Sequence, residues 1–160
     1  MRFARKPPLK FDLTCSSNKI SDKAELDEII WCASGRGALE LALQALDVQS
    51  GQTVLLPDFV CDVVEHPLQR LGLHVVWYAL HDNFAPDWAD LEQKLPQGQA
   101  ALLVHFFGQP QDASRFGQLC SNAGVKFLED NAHGYGAQLQ GRLLGTWGDA
   151  GFVSPWKQYE

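Results

Sequence analysis

The sequence has no apolar run approaching the roughly 20 residues that a membrane-spanning helix needs. Its basic start, Met1-Arg2-Phe3-Ala4-Arg5-Lys6-Pro7-Pro8, is not followed by the apolar core of a signal peptide. Nothing in the chain directs it out of the cytoplasm, and no membrane partner is expected. Cysteine is sparse: Cys15, Cys32, Cys61 and Cys120 are scattered, and no two have the close spacing of a zinc knuckle or a redox motif. No bound metal and no disulfide are expected, and Cys120 reads as a helix-packing residue. Positive charge is also scarce, with 13 Lys and Arg against 19 Asp and Glu and a net charge of -6. A general nucleic-acid binder needs a basic face to neutralise phosphates, so that class is excluded. A small anionic ligand is not, because backbone geometry can hold a phosphate on an acidic protein. Internal repeats and low-complexity tracts are missing as well. What remains is a chain of 160 residues, 46% hydrophobic and 20% charged, which is the make-up of a folded domain with its own core.

Residues 1–32 form an N-terminal segment. Pro7 and Pro8 oppose helix, and Cys15-Ser16-Ser17-Asn18 is a loop-like cluster. Ser21 caps a short helix running to about Ile30, with Asp22 in its first turn. An alternating pattern follows. Helix is expected over 37–46, apolar almost all round and therefore buried. A short apolar strand spans 53–56 and closes at Pro57. Helix is expected over 59–71, kinked or broken at Pro67. Strand 74–78, helix 88–95, strand 100–106, helix 113–123 ended by Gly124, and strand 125–128 complete the series. Residues 137–144 read as a hairpin turning at Gln140-Gly141. Strands apolar on both faces and separated by helices imply a mainly parallel sheet in an αβα sandwich. Right-handed crossovers then gather the carboxyl ends of the strands on one edge, where ligands bind.

Four segments at expected loop positions carry polar chemistry. Ser34-Gly35-Arg36-Gly37-Ala38 precedes a helix; it is either a flexible turn or a set of backbone N–H groups that closes on a phosphate. Glu129-Asp130-Asn131-Ala132-His133 follows a buried strand. There Asp130 either binds a protonated ring nitrogen of a cofactor or caps the next turn. His133 is either a donor to a cofactor oxygen or a structural residue. Ser154-Pro155-Trp156-Lys157 places an amine beside an aromatic ring and an apolar run. Desolvation would make that amine a nucleophile toward a carbonyl; otherwise it is a solvated surface lysine. His105-Phe106-Phe107-Gly108-Gln109-Pro110 closes another strand in a defined turn.

In order and spacing these segments resemble the DegT/DnrJ/EryC1/StrS sugar aminotransferases, enzymes of fold type I that depend on pyridoxal 5'-phosphate. The resemblance runs from about Ala33 to Lys157. It is carried by Ser34-Gly35-Arg36-Gly37-Ala38-Leu39, Pro57, the turn from His105 to Pro110, Glu129 to His133, and Gly148-Asp149 with Ser154 and Lys157.

The resemblance implies transamination from glutamate to a nucleotide-linked ketosugar, in a homodimer. Lys157 would be the Schiff-base lysine and Asp130 the partner of the ring nitrogen. Ser34, Gly35, Arg36 and Ser154 would hold the phosphate. Ala132 would lie against a ring face, and His133 stands where a glutamine meets the ring hydroxyl. Cys61 occupies the position of an aromatic residue that stacks on the ring; Phe59 is two positions away. Residues 33–160 would then be part of a large domain, with its C-terminal part and a small domain missing and the piece inactive alone. A sugar dehydratase or isomerase using the same cofactor is the neighbouring possibility. Some dehydratases of the family carry histidine at the lysine position, which Lys157 opposes.

Overall fold

A computed structural model describes residues 29–154. The expected N-terminal helix therefore lies outside the described residues except at Ile29 and Ile30, which have no regular structure, and Lys157 lies outside them too. The chain divides into two compact units, Met1–Ile30 and Trp31–Glu160, and the description below is of the second.

Its elements are α1 (Gly35–Ala45), β1 (Thr53–Pro57), α2 (Glu65–Arg70), β2 (His74–Tyr78), α3 (Trp88–Lys94), β3 (Ala100–Val104), α4 (Ala113–Ala123), β4 (Lys126–Asn131), β5 (Gln138–Leu139), β6 (Arg142–Leu143) and β7 (Ala150–Val153). Five strands form one sheet in the order β2-β1-β3-β4-β7, and every neighbouring pair is parallel. From β1 the chain moves outward to β2 and then returns past β1 to β3. The order reverses there, and an open α/β sheet binds ligands beside such a reversal at the carboxyl ends of its strands.

The pleat decides which side chains meet which helices. Leu39 and Leu43 of α1 and Leu68 of α2 pack with Val54, Leu56, Leu102, Leu128 and Phe152. Leu91 of α3 and Phe116 and Cys120 of α4 pack with Leu55, Ala101, Leu103 and Phe127. Helices thus cover both faces, as the αβα reading expects. Each fully buried leucine in these layers contributes about 2 kcal/mol through the apolar surface it withdraws from water. Cys120 is buried and its thiol, pushed up to about 12 by desolvation, is a packing group.

Several sequence expectations need correction. Helix α1 begins at Gly35 because the Ser34 side chain accepts a hydrogen bond from the Gly37 N–H and caps it. Residues 59–61 are not helical: a 3-10 turn at Asp62–Val64 leads into the six-residue α2. Pro67 neither kinks nor breaks α2. It stands in the first turn, where a helix has no use for an N–H. Strand β3 stops at Val104, and β4 runs three residues further than its apolar pattern, to Asn131. The hairpin turns at Gln140-Gly141, both at positive φ, as a two-residue turn between twisted strands requires.

Asp90 gives the fold a testable pH response. Its carboxylate accepts from Lys94 Nζ at 2.8 Å and from the Ala79 N–H at 2.7 Å, joining α3 to the end of β2. The Lys94 hydrogen bond, with the backbone bond, holds its pKa below the usual value. A lowered folded-state pKa adds stability above the unfolded pKa, and this is lost as pH falls through the folded value. Asp90→Asn should therefore cost on the order of 1 kcal/mol in urea unfolding at neutral pH, and the difference should vanish in acid.

Candidate active site

Because the strands are parallel, Pro57, Val104, Asn131 and Val153 end them on one common edge. Helix α1 reaches that edge with its first turn. The chain leaving α1 arrives at the opposite edge, where the Gly51 N–H donates to Gly72 O and the His74 N–H to Gln52 O. α1 therefore runs against the strands, and it packs on β7. Ser34 and the amides of Gly35 and Arg36 stand at the strand-end edge and are exposed. An added Cβ at Gly35 would meet nothing within 4 Å, so the first turn is open. A groove of about 910 Å³ continues from it between α1 and α2, where His66 and Arg70 line the far wall and Arg70 pairs with Glu40. A second hollow, lined by Cys120, Lys126 and Asp149, holds none of the expected site residues.

Asp130 is nearly the last residue of β4 and is 8% exposed. It alternates with Glu129, and since Leu128 faces α1, Asp130 faces α1 as well. One of its oxygens accepts from the Ala132 N–H at 2.8 Å. Asp130 thus does cap the following turn. That role is compatible with a second one, because a carboxylate accepts several hydrogen bonds. Ser154 follows β7 in parallel register with β4, where Asn131 pairs with Val153. Phe152 lies on the α1 face, and Ser154 is the first residue beyond the strand end.

His133 is held from the β3 side. The Phe107 N–H donates to His133 Nδ1 at 3.3 Å, and the two rings stack at 6.0 Å with planes 19° apart. An Nδ1 that accepts leaves the proton on Nε2. Phe107 sits at φ 55°, a left-handed backbone that bulky residues seldom adopt. The two turns touch backbone to backbone: a Cβ on Gly134 would lie 3.1 Å from Gly108 Cα, and one on Gly108 3.0 Å from His133 O. Both positions require glycine for that approach.

Cys61 is exposed in the turn after β1. Phe59, on the same turn, joins an aromatic cluster with Phe84 at 5.5 Å and Phe106 at 5.8 Å, and Phe84 in turn meets Phe107 at 5.4 Å. Asp130, Ala132, His133, Ser154, Cys61 and the Ser34–Arg36 turn therefore share one edge. Among the described residues no cluster of three or more His, Cys, Asp or Glu is placed to hold a metal ion.

Two buried polar residues of this edge have no role assigned from the sequence alone. His105 and Glu129 are both fully buried and hydrogen-bonded to each other at 2.8 Å. The available signal was two polar residues in otherwise apolar strands, one at the end of each.

This arrangement matches known proteins. The chain fits the DegT/DnrJ/EryC1/StrS aminotransferase family over residues 17–157. It is 34% identical to the UDP-N-acetyl-3-dehydro-alpha-D-glucosamine 3-aminotransferase of Acidithiobacillus ferrooxidans over 78% of this chain and 34% of that protein. It is 33% identical to the 3-amino-5-hydroxybenzoate synthase of Amycolatopsis mediterranei over 70% of this chain and 29% of that protein. Among solved structures, DesV of S. venezuelae in complex with a ketimine intermediate superposes with a TM-score of 0.66, at 30% identity, over 75% of this chain and 32% of that one. The chain spans about a third of the length of the curated relatives it matches. Enzymes of the family depend on pyridoxal phosphate, and the parallel sheet with its flanking helices is that of their large domain. The chain belongs to the DegT/DnrJ/EryC1/StrS aminotransferase family.

Proposed function

We propose that this chain supplies the cofactor-binding part of a pyridoxal-phosphate aminotransferase that aminates a nucleotide-linked ketosugar with glutamate as the donor. The observation that carries this reading is the placement of Asp130 on the α1 face of the sheet, at the edge where the first turn of α1 lies open. When bound there, pyridoxal phosphate supplies an electron sink for negative charge on a substrate carbon.

The residues present fit that group. The amides of Gly35 and Arg36, with the Ser34 and Ser154 hydroxyls, would hold its phosphate at the positive end of α1. Asp130 would keep the ring nitrogen protonated, and as a fixed carboxylate in a largely buried place it does so without reorganising water. Ala132 would lie against the ring where a larger side chain would collide. His133, with its proton on Nε2, would donate to the ring oxygen. Cys61 and Phe59 stand on the β1 side, where the ring's other face is to be covered. Lys157 would provide the amine that binds the cofactor carbonyl and afterwards carries a proton between donor and cofactor carbons through Nζ. A homodimer in the cytoplasm completes the reading.

The test is titration of the purified whole enzyme, of which this chain is proposed to be a part, with pyridoxal phosphate, followed by glutamate and then a nucleotide-linked ketosugar. The expected result is a saturable visible band that glutamate bleaches and the ketosugar restores. A protein whose spectrum is the sum of free cofactor and apoprotein would refute the proposal.

A further inference from the structure

We propose that Glu129 is a positioning residue of the site: its buried carboxylate is the internal anion around which the loop 145–148 folds, and it fixes that loop and the turn after β3 to β4. The proposal rests on the cofactor reading above and adds to it the device that keeps three separate chain segments in place.

Glu129 has no exposed surface, and four donors converge on it. One oxygen accepts from the Gly145 N–H at 2.7 Å and from His105 Nε2 at 2.8 Å. The other accepts from the Trp147 N–H at 2.6 Å and the Gly148 N–H at 3.2 Å. The direction of the His105 bond follows from its other nitrogen. Nδ1 accepts from the Gln111 N–H at 3.0 Å, so the ring proton is on Nε2 and points at the carboxylate. Every partner donates, which is the full complement a buried carboxylate asks for.

The loop is built for this contact. Glu129 pairs in register with Gly151, and a Cβ on Gly151 would stand 2.1 Å from Gly145 O. A Cβ on Gly148 would stand 2.6 Å from Phe127 O. Glycines three residues apart thus let the backbone of 145–148 lie flat on the α3/α4 face of the sheet, with its N–H groups turned to the carboxylate. Successive backbone N–H groups arranged in this way form an anion-binding concavity, here filled from within.

The consequences reach the other face of the sheet. Loop 145–148 feeds β7, which ends at Val153, immediately before Ser154. His105 begins the turn that carries Phe107 and Gly108 against His133. Glu129 itself is next to Asp130. One carboxylate therefore sets the relative places of Ser154, the His133 support and Asp130 without facing their side of the sheet.

The variant Glu129→Gln keeps the shape but turns an N–H2 group toward N–H donors, so part of the loop must let go. On folded protein well below its unfolding temperature, the Kd for pyridoxal phosphate should rise about 10-fold or more, the cost of small misplacements in a preorganised site. Induced circular dichroism in the cofactor band should fall, and the amides of Gly145, Trp147 and Gly148 should lose protection from hydrogen exchange. A variant that was merely less stable would keep the wild-type Kd and dichroism under those conditions. If Glu129→Gln does not fold, Gly145→Ala tests the same point. Its Cβ, at φ 91°, would press to 3.0 Å from Val153 Cγ1 and displace the loop with the carboxylate intact. Wild-type binding accompanied by unchanged Kd and dichroism in the variant would overturn the positioning role and leave the cofactor reading standing. A wild-type protein that binds no cofactor would instead overturn the cofactor reading.

Discussion

Lys157→Ala is expected to abolish the covalent adduct that borohydride fixes between the protein and pyridoxal phosphate. Only an uncharged amine near the cofactor carbonyl can form that bond. The two lysines among the described residues are both badly placed. Lys94 is on α3, paired with Asp90 on the face opposite α1. Lys126 starts β4, four residues before Asp130 and therefore about 13 Å along the strand toward the wrong edge. β7, the strand beside β4, ends at Val153 on the edge that Asp130 occupies, and Lys157 is four residues further along the sequence. Mass spectrometry of the reduced, digested protein should show the cofactor mass on the peptide containing residue 157 and none in the variant. An undiminished adduct in Lys157→Ala would refute the assignment.

Asp130→Ala should reduce turnover by about 100- to 1,000-fold, the scale on which a preorganised charge at a reacting centre acts. Retention of the cofactor should change far less, because on this reading the phosphate would be held at α1. The alanine variant also loses the hydrogen bond from the Ala132 N–H, worth about 1 kcal/mol, so the effect on turnover alone would be ambiguous. Asp130→Asn resolves this. Its amide oxygen still accepts from Ala132 and preserves the turn, while the charge is gone. Turnover as low in Asp130→Asn as in Asp130→Ala assigns the effect to the charge. Wild-type turnover in Asp130→Asn would remove the role at the ring nitrogen and leave Asp130 as a turn cap.

Much of this was legible in the sequence where one physical cause dominated. The runs Val54-Leu55-Leu56 and Ala100 to Val104 are apolar on both faces, and only a covered parallel strand uses such a pattern. Gln140-Gly141 marks a turn in which both residues take positive φ, and Gly124 at φ 69° marks a helix end. The sequence misled where a tertiary contact outweighed the local pattern. His105 and Phe106 look like more of β3, yet the chain bends there because the His105 ring is bound between Glu129 and the Gln111 N–H. Glu129 and Asp130 are adjacent carboxylates that the sequence cannot tell apart by environment. The pleat separates them, one into a closed cradle of donors and the other toward α1. Pro67 was misjudged because its effect depends on where in the helix it falls, and the 3-10 turn at Asp62–Val64 that sets this has no strong signature.

The central claim is that the first turn of α1 and the carboxylate of Asp130 serve the two ends of one ring. A crystal structure of the protein with pyridoxal phosphate tests it most directly. The account predicts the phosphate oxygens on the amides of Gly35 and Arg36, and an Asp130 oxygen within hydrogen-bonding distance of the ring nitrogen. A cofactor lodged elsewhere, or one bound at α1 with Asp130 turned away from its ring, would contradict it.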